Sequence, residues 1–482
     1  MAPVQKPFRV ILVGGGLVSL TAAHILVKAG INFVILEQHD DLLPEIGSLL
    51  SLWPPTFRIF DQLGLLDPMQ PVLNDVNLGV TMSADDGSIL SQLKPKSILE
   101  KNHGHPVQVT HRPRFMEVLY QSLPDSAKAQ IKLKKRVVGV NVFDDGVSVE
   151  CADGTVVEGS IVIGADGVHS RVRPCMQAMA EGKPPPDKSQ GSKSPYISSY
   201  RMFIGNLPIP PGVNTNTNYE CASERISTQL VTGNSQAWFA VYEALDKPTS
   251  ERVRYTEQDE KRFLEKLGHL YMAPGWKLRE LYPLHVGYTG MINLEEGRVD
   301  KWFWKRIVLV SDAVRKLEPH AGLGYNSGLI DVVVLVNKLR RLLQTETSPS
   351  TKSLEAVFAD YEMERKNNES IIHTMSIRRA RQLAWLSPVN KIISKYIAPW
   401  THLSYYSLLY IYAPLVARIP VLEWLEENSL SKTLQVPYKY HPVLNGTGIE
   451  KPSSRGYDLS TYSKAIALAA LAAVGFRYYS RI

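Results

Sequence analysis

The sequence predicts an α/β protein in which a parallel-sheet domain carries an inserted sheet-based domain and a helical C-terminal region. Three observations lead to this prediction. The chain opens with a strand–turn–helix–strand unit, strand-like runs separated by polar turns fill its middle, and helical patterns dominate after residue 345. Its 482 residues leave room for about three domains, and an apolar content of 44% can supply their cores.

The amino-acid composition excludes several classes of protein. The net charge of +7 is scattered along the chain, and basic residues do not alternate with aromatic residues as they do in nucleic-acid-binding surfaces. We therefore expect no nucleic-acid partner. The three cysteines (Cys151, Cys175 and Cys221) share no metal-binding or redox spacing, which predicts no metal site and a reducing compartment.

The N-terminal unit is predicted to contain two buried parallel strands joined by a helix. An apolar run over residues 8–13 predicts the first strand, a helical pattern over residues 17–29 ends at Gly30, and residues 32–36 predict the second strand. Residues 14–19 (GGGLVS) lie between the first strand and the helix. They therefore occupy the position at which a phosphate-binding turn is found.

This glycine-rich turn predicts a dinucleotide site. Gly14 and Gly16 permit a tight turn and a close approach of the backbone to a pyrophosphate, toward which the helix N-terminus directs partial positive charge. Ser19 replaces the third glycine of the G-x-G-x-x-G pattern by another small residue. Glu37 ends the second strand, 21 residues after Gly16, where a carboxylate accepts hydrogen bonds from a ribose. Because an acidic residue disfavours a 2′-phosphate, this Rossmann-like unit is predicted to bind FAD or NAD.

Later segments complete the predicted fold. A meander is predicted over residues 136–163 and an exposed loop over residues 180–195. A strand over residues 306–310 leads through a glycine-rich turn into a helix over residues 328–343. The predicted parts of the chain are a discontinuous nucleotide-binding domain (1–195 and 291–345), a substrate domain (196–290), a helical region (346–459) and a terminal segment (460–482).

Two of these segments resemble motifs of the FAD-dependent monooxygenases of the aromatic-hydroxylase-like flavoprotein family. Residues 164–173 (GADGVHSRVR) resemble that family's Asp-Gly motif, in which Asp166 is assigned to the cofactor site. Residues 310–326 (VSDAVRKLEPHAGLGYN) resemble its second flavin motif. Together with the turn at residue 14 they occur in the family's order, and the resemblance covers about residues 8–390. The resemblance selects FAD over NAD and implies a Rossmann-like FAD-binding domain.

The resemblance also implies which residues contact FAD. Asp312 would bind the ribityl chain. The turn over residues 319–326 would lie against the isoalloxazine and direct backbone N–H groups at its N1–C2=O edge, where the reduced flavin is anionic. This turn contributes Gly322, Gly324 and Tyr325.

Two more contacts and two departures come from the same resemblance. The segment HRPRFMEVL resembles the family's helix start, whose arginine reaches the flavin side chain; the register selects Arg112, with Arg114 as the alternative. Ser51 stands where relatives keep a glycine whose backbone contacts the cofactor. Ser311 and Arg315 replace the family's usual Gly and His, and neither change removes the carboxylate of the motif.

The activity that the resemblance implies is insertion of one oxygen atom. In this family reduced flavin reacts with O₂ to form a C4a-hydroperoxide, and NADPH or NADH is the co-substrate that binds transiently. The overall pattern looks most like the epoxidases of fungal terpenoid and meroterpenoid pathways, which oxidise the terminal prenyl double bond of a lipophilic intermediate. Tyr219 falls near the position of an active-site tyrosine in related enzymes, and Arg201 near that of a phenolate-binding arginine; both are predicted catalytic residues.

Four alternatives stay open at this point. A phenol hydroxylase and a flavin-dependent halogenase share the fold, but the halogenase pattern begun by Trp302 and Trp304 is not completed by residues 305–307. A nicotinamide dehydrogenase would explain residues 8–37 but not the later motifs. A non-catalytic prenyl-protein chaperone of the flavin fold would bind no flavin, so a yellow purified protein would exclude it.

The C-terminal region predicts association with a membrane. Residues 396–417 lack Asp, Glu, Lys and Arg, but Pro399 and Pro414 favour a buried or interfacial hairpin over a spanning helix. Residues 465–476 (AIALAALAAVGF) are apolar but shorter than the roughly 20 residues that span a bilayer. We expect this segment to hold the enzyme on an intracellular membrane, the endoplasmic reticulum, with the catalytic domain in the cytosol; docking on the protein body is the alternative.

Overall fold

The computed structural model describes residues 7–44, 49–184, 194–428 and 434–442. Its strands are β1 (Arg9–Val13), β2 (Asn32–Leu36), β3 (Leu49–Leu52), β4 (Asn74–Asp75), β5 (Leu78–Ser83), β6 (Ile89–Leu93), β7 (Gln108–His111), β8 (Ile131–Lys132), β9 (Val137–Val142), β10 (Val147–Cys151), β11 (Val156–Gly159), β12 (Ile161–Gly164), β13 (Ile197–Pro208), β14 (Thr217–Ser223), β15 (Ile226–Thr232), β16 (Gln236–Thr249), β17 (Tyr271–Ala273), β18 (Trp276–Lys277), β19 (Thr289–Arg298), β20 (Phe303–Trp304), β21 (Ile307–Leu309) and β22 (Arg315–Lys316).

The helices are α1 (Leu17–Ala29), α2 (Pro54–Leu63), α3 (Leu66–Met69), α4 (Pro95–His103), α5 (Arg112–Gln121), α6 (Asp125–Lys128), α7 (Val172–Ala180), α8 (Glu257–Leu267), α9 (Leu278–Leu281), α10 (Gly324–Thr345), α11 (Thr351–Leu383), α12 (Pro388–Ile392), α13 (Ala398–Thr401), α14 (Leu403–Ser407) and α15 (Ala413–Val416). Single 3₁₀ turns cover Ser311–Ala313 and Pro319–Ala321, directly before α10.

A six-stranded sheet forms the centre of the nucleotide-binding domain. Its order is β20-β21-β12-β1-β2-β8, and all neighbours are parallel except the edge pair β20–β21. The apolar runs that predict β1 and β2 are buried because helices cover the sheet, and α1 and α10 also pack against each other. The predicted α/β class, the βαβ unit and the meander, which is formed by β9, β10 and β11, are all confirmed.

An eight-stranded sheet forms the inserted domain. Its order is β22-β19-β13-β16-β15-β14-β5-β6, with antiparallel neighbours except for the parallel pair β14–β5. Strands β5 and β6 come from residues 78–93, and β22 lies beyond residue 290. The predicted substrate domain of 196–290 is therefore too narrow, because hydrogen-bonded strands from the predicted nucleotide-binding segments complete its sheet.

The two faces of this eight-stranded sheet differ in what covers them. One face packs against α8 and the β17–β18 hairpin around an apolar core that contains Phe203, Phe239 and Phe263. The opposite face carries Tyr200 and Tyr242 and meets the 3₁₀ turn Pro319–Ala321 and the end of α11. The second face therefore borders the turn that leads into α10.

The C-terminal region is helical and returns to the body of the protein. Pro399 and Pro414 stand in the first turns of α13 and α15, so the predicted hairpin over residues 396–417 is a series of short helices, in which Trp400 is 83% exposed and Val416 is buried. Within the described ranges, no helix combines the length and apolarity that crossing a bilayer requires. The apolar segment at residues 465–476 lies outside the described residues.

Candidate active site

The turn between β1 and α1 is built for a glycine at its first position. Gly14 has φ +101°, and a Cβ there would lie 2.7 Å from the Ala165 carbonyl oxygen and 2.9 Å from the Asp166 Cα. Both the backbone conformation and the close approach therefore exclude a side chain. The same contact brings the glycine-rich turn and the Asp-Gly motif together at the ends of the neighbouring strands β1 and β12.

The N-terminus of α1 faces open space beside the predicted ribose-binding carboxylate. Among the described residues, no atom lies within 4 Å of the place that a Cβ on Gly16, the residue before α1, would take, and no side chain caps the helix. Glu37 is buried, and its carboxylate accepts hydrogen bonds from the Gly15 N–H (2.5 Å) and the His39 N–H (2.9 Å). The free N–H groups of a helix start and an adjacent carboxylate suit a pyrophosphate and a ribose.

The carboxylate of Asp166 stabilises the loop between β12 and α7 through hydrogen bonds to its backbone. Its Oδ2 accepts hydrogen bonds from the N–H groups of Arg171 (2.6 Å) and Val172 (3.0 Å), where α7 begins. Burial raises the pKa of Asp166, against the opposing effect of these hydrogen bonds. Its Oδ1 is buried without a hydrogen-bond partner among the described residues, and is the one carboxylate oxygen left for a water or a ligand hydroxyl.

Arg112 and Asp312 carry opposite charges that influence one another. Arg112 is the first residue of α5, and burial lowers its pKa against the opposing effect of the Asp312 carboxylate. Arg114 is exposed and pairs with Glu117 at 2.9 Å on the outer face of α5. Of the two arginines, Arg112 is therefore the better candidate for a cofactor contact. Asp312 lies in the 3₁₀ turn after β21, and its Oδ2 accepts from Lys316 Nζ at 2.5 Å.

A single asparagine side chain holds the 319–326 turn in place. Asn326 Nδ2 donates to the carbonyl oxygens of Ser51 (2.9 Å) and Gly322 (2.8 Å), and its Oδ1 accepts from the Trp53 N–H (2.9 Å) and the Thr56 hydroxyl (2.7 Å). Gly322 has φ +62°, and a Cβ there would lie 2.6 Å from the Ser51 Cβ. The structure thus brings Ser51 to this turn. Asn326 ends the second flavin motif, and that was the signal available for it in the sequence.

Helix α10 begins earlier than predicted, at Gly324 rather than Gly328. The glycines at 322, 324 and 328 favour a turn, but tertiary packing extends the helix to the edge of the cleft. A Cβ on Gly324 would meet no atom of the described part of the chain within 4 Å, so this second helix N-terminus also faces space that these residues leave open.

The Tyr325 side chain points away from the cleft. Its hydroxyl lies 2.9 Å from the Thr21 Oγ1 of α1, and its ring packs edge-on against Phe115 of α5 at 5.4 Å between centroids. Burial raises the pKa of Tyr325. A contact of Tyr325 with the cofactor is therefore limited to its backbone.

The two predicted catalytic residues lie on the wrong face of the eight-stranded sheet. Tyr219 belongs to the apolar core under α8, where its hydroxyl accepts from the Asn214 N–H at 3.3 Å, and burial raises its pKa. Arg201 forms an ion pair with Glu243 at 2.6 Å and lies over the Phe263 ring of α8. Because side chains alternate along a strand, an error of one residue in position exchanges the two faces. The catalytic assignments of Tyr219 and Arg201 are therefore corrected.

Arg315, which replaces the family's histidine, belongs to a buried ion cluster below the 319–326 turn. Its Nη2 lies 2.8 Å from Asp331 and donates to the Ser327 hydroxyl at 2.7 Å. Arg365 of α11 pairs with the same Asp331 at 2.7 Å, and Asp331 also accepts from the Ser311 N–H at 2.8 Å. The cluster therefore connects the Asp312 turn with α10 and α11.

An apolar cavity of about 80 Å³ adjoins the 319–326 turn on its C-terminal side. Trp53 donates its indole N–H to the Ala321 carbonyl at 3.2 Å, and its ring stacks on Tyr412 at 5.7 Å between centroids. The remaining lining residues are mostly apolar, among them Pro55, Leu323, Ile330, Leu415, Val416 and Ile419; Asn326, Ser327, Arg365 and Arg418 are the polar part of the lining.

These features fit FAD. At the two helix starts, Gly16 and Gly324 face space that no described residue fills, and the first N–H groups of a helix suit the pyrophosphate at one and the electron-rich edge of the isoalloxazine at the other. Arg112 and Asp312 add a cation and a carboxylate whose charges influence one another. Within the described residues no group of His, Cys, Asp and Glu forms a metal site, and the three cysteines are buried free thiols.

Solved structures share this fold. The chain matches HpxO of Klebsiella pneumoniae, solved in complex with FAD and uric acid, with a TM-score of 0.64 and 19% identity over 80% of this chain and 90% of that chain. It matches a salicylate hydroxylase in its substrate complex with a TM-score of 0.65 and 17% identity over 85% and 98%.

Sequence comparisons identify the family. The model of the FAD-binding domain matches residues 8–191 and 223–367. The FAD-dependent monooxygenase srdH of Neurospora crassa is 33% identical over 82% of this chain and 90% of that protein, and the FAD-dependent monooxygenase ausM of Penicillium brasilianum is 29% identical over 82% and 83%. The chain therefore belongs to the FAD-dependent monooxygenases built on this FAD-binding domain, and FAD is its cofactor.

Proposed function

We propose that this monooxygenase epoxidises a terminal prenyl double bond of a lipophilic terpenoid or meroterpenoid intermediate in secondary metabolism. The reaction converts an alkene, O₂, NAD(P)H and one proton into an epoxide, NAD(P)⁺ and water. Bound FAD supplies the chemistry, because it accepts the hydride of NAD(P)H and activates O₂. The observation that carries the proposal is the apolar cavity beside the 319–326 turn, which offers aliphatic and aromatic walls to a hydrocarbon chain.

The residues of the chain have separate tasks in this reaction. Glu37 and the start of α1 hold the nucleotide half of FAD, and Arg112 and Asp312 hold its ribityl and phosphate portion. The start of α10 directs N–H groups at the edge of the flavin that becomes anionic on reduction. The apolar cavity walls exclude water and orient the alkene.

The charged residues near the cavity bear on the choice between an alkene and a phenol. Arg201, the predicted phenolate-binding cation, lies on the far face of the sheet in an ion pair with Glu243. Arg365 and Arg418 line the cavity, and Arg365 is paired with Asp331. The alkene proposal therefore rests on the mostly apolar walls, and a phenol is the alternative that the substrate panel tests.

The substrate proposal is tested by incubating the purified yellow protein with O₂ and a panel of prenylated substrates, with NADPH and NADH in separate series. Saturated analogues and simple phenols serve as matched controls. We expect a product heavier by one oxygen only from substrates with the terminal double bond. Hydroxylation of the phenols without reaction of the alkenes would contradict the proposed epoxidation and would identify the protein as a phenol hydroxylase.

The proposed location is the cytosolic face of the endoplasmic reticulum, with residues 460–482 as the attachment. Lys464, Arg477 and Arg481 flank the apolar run at residues 465–476, where they can reach anionic headgroups. Deletion of residues 460–482 should move the protein to the soluble fraction with FAD still bound. If the full-length protein is soluble without detergent, or the deletion loses FAD, the segment belongs to the fold.

A further inference from the structure

A buried acid–imidazole–hydroxyl chain joins the 319–326 turn to the inserted sheet. Glu318 accepts a hydrogen bond from His320 Nδ1 and, at 3.0 Å, from the His320 backbone N–H. On the other side of the imidazole, Nε2 lies 2.8 Å from the hydroxyl of Ser227 in β15. Glu318, His320 and Ser227 are 2%, 8% and 1% exposed, so water does not compete for these hydrogen bonds.

Aromatic rings fix the imidazole between the two elements. The Tyr242 ring of β16 lies against His320 at 3.7 Å between centroids, and the Tyr200 ring of β13 packs edge-on at 6.1 Å. Burial raises the pKa of both tyrosines, with the negative charge of Glu318 adding to the effect. The His320 ring therefore has one position, set by strands of the inserted domain.

The hydrogen-bonded residues Glu318, His320 and Ser227 are of the same types as those that activate a catalytic serine, but their surroundings differ. A nucleophilic serine needs access to substrate and a pocket of N–H donors for the developing oxyanion. Ser227 lies inside an antiparallel strand that is paired with β14 on one side and β16 on the other, and its side chain is buried. The arrangement is suited to hold two elements together rather than to attack a substrate.

We propose that His320 is a positioning residue that, with Glu318 and Ser227, latches the 319–326 turn onto the inserted sheet. The latch sets the separation between the turn that receives the flavin and the sheet face beside it. Because Leu323 and Asn326 of the same turn line the apolar cavity, the latch also holds this part of the cavity wall in the position that directs the activated oxygen into the substrate. Without it the turn moves, and NAD(P)H oxidation produces H₂O₂ in place of product. The inference rests on FAD-dependent oxygenation and not on which alkene is oxidised.

The experiment compares holoenzymes of the wild type, Ser227→Ala, His320→Asn and the double variant. Ser83→Ala is the matched control, since Ser83 is a fully buried serine of the same sheet whose hydroxyl has no partner among the described residues. The first readout needs no substrate: it is hydrogen–deuterium exchange of the N–H groups of residues 320–327, measured with FAD bound. The second is the ratio of H₂O₂ to NAD(P)H consumed with a substrate that the wild type oxidises.

If the latch exists, hydrogen–deuterium exchange of residues 320–327 should be about tenfold faster in both single variants than in the wild type. This is the effect expected when a buried hydrogen bond that opposes local opening is lost. The double variant should be no faster than the faster single variant, because both changes break the same bond. The H₂O₂ ratio should rise in all three variants and stay at the wild-type value in Ser83→Ala.

Two results would overturn the latch. One is exchange in Ser227→Ala and His320→Asn equal to that in Ser83→Ala; the other is faster exchange with an unchanged H₂O₂ ratio, which would leave His320 a structural residue only. If no prenylated substrate is oxidised by the wild type, the proposed epoxidation fails. In that case the ratio is measured with whichever control substrate reacts.

Discussion

At the scale of single residues, the two glycines of the β1–α1 turn have different tasks. Gly14 permits the backbone path, because its φ of +101° and its 2.7 Å approach to the Ala165 carbonyl leave no room for a methyl group. Gly16 has an ordinary φ of −74° and open space in front of it, so it is needed only if a ligand occupies that space.

We therefore expect Gly14→Ala to lower the free energy of unfolding by about 1–3 kcal/mol and to lose FAD. Gly16→Ala should leave the melting temperature of the FAD-free protein unchanged but weaken FAD binding, because the added methyl group stands where the pyrophosphate approaches. Thermal unfolding of the FAD-free proteins and fluorescence titration with FAD separate the two effects. Tight FAD binding by Gly16→Ala would show that the pyrophosphate does not bind at this turn.

The opposite charges of Arg112 and Asp312 lead to a second prediction. Asp312→Ala removes the carboxylate that we propose accepts hydrogen bonds from the ribityl hydroxyls, and it removes a negative charge that acts on Arg112. One charge-assisted hydrogen bond is worth on the order of 1.5–3 kcal/mol, so FAD affinity should fall about 10- to 100-fold and the protein should purify pale. Asp125→Ala, which removes a fully exposed carboxylate, is the control. Full flavin occupancy of Asp312→Ala at low FAD would contradict the assignment.

At the scale of elements, the buried ion cluster fixes α10 and α11 to the Asp312 turn. Asp331 is fully buried between Arg315 and Arg365. Asp331→Asn would leave two buried guanidinium groups without their carboxylate, and should cost about 3–5 kcal/mol of unfolding free energy. Asp360→Asn, which breaks a half-exposed pair with Lys338, should cost less than about 1 kcal/mol. Equal losses in denaturant unfolding of the two variants would contradict a central role for the cluster.

The correction of Tyr219 is also an element-scale prediction. Its ring lies in the core under α8, opposite the face that meets His320. Tyr219→Phe keeps that packing and removes one hydroxyl, so turnover and flavin content should both match the wild type in steady-state assays. A fall in turnover at constant flavin content would show that the Tyr219 hydroxyl takes part in the reaction.

The elements that follow from local pattern were predictable, and those that depend on distant pairing were not. Apolar runs and a terminal glycine define β2 and α1 with the bounds observed. The faces of β14 and β15 depend on pairing with β5 and β16, and the start of α10 depends on Asn326 binding Ser51 and Trp53 far away in sequence. The sequence contains no local signal for the faces of these strands or for the start of α10. The face on which Tyr219 lies and the first residue of α10 were therefore not predicted correctly.

At the scale of the whole molecule, three motifs distant in sequence form one site because parallel strands bring their carboxyl ends together. The turn after β1, the Asp-Gly motif after β12 and the Asp312 turn after β21 follow adjacent strands of one sheet. Once the family resemblance identifies these segments as flavin motifs, their order along the chain predicts that they meet at one edge of the sheet. The inserted sheet, which contacts the 319–326 turn through His320, was predictable as a domain but not in its limits, because β5, β6 and β22 join it from other segments.

The most direct test of the central claim is the reaction under ¹⁸O₂ with a prenylated substrate and NAD(P)H, followed by mass spectrometry of the product. We expect one ¹⁸O atom per product molecule, none from labelled water, and no product from Asp312→Ala at low FAD. Product oxygen derived from water, or equal product formation by the FAD-free protein, would contradict the central claim.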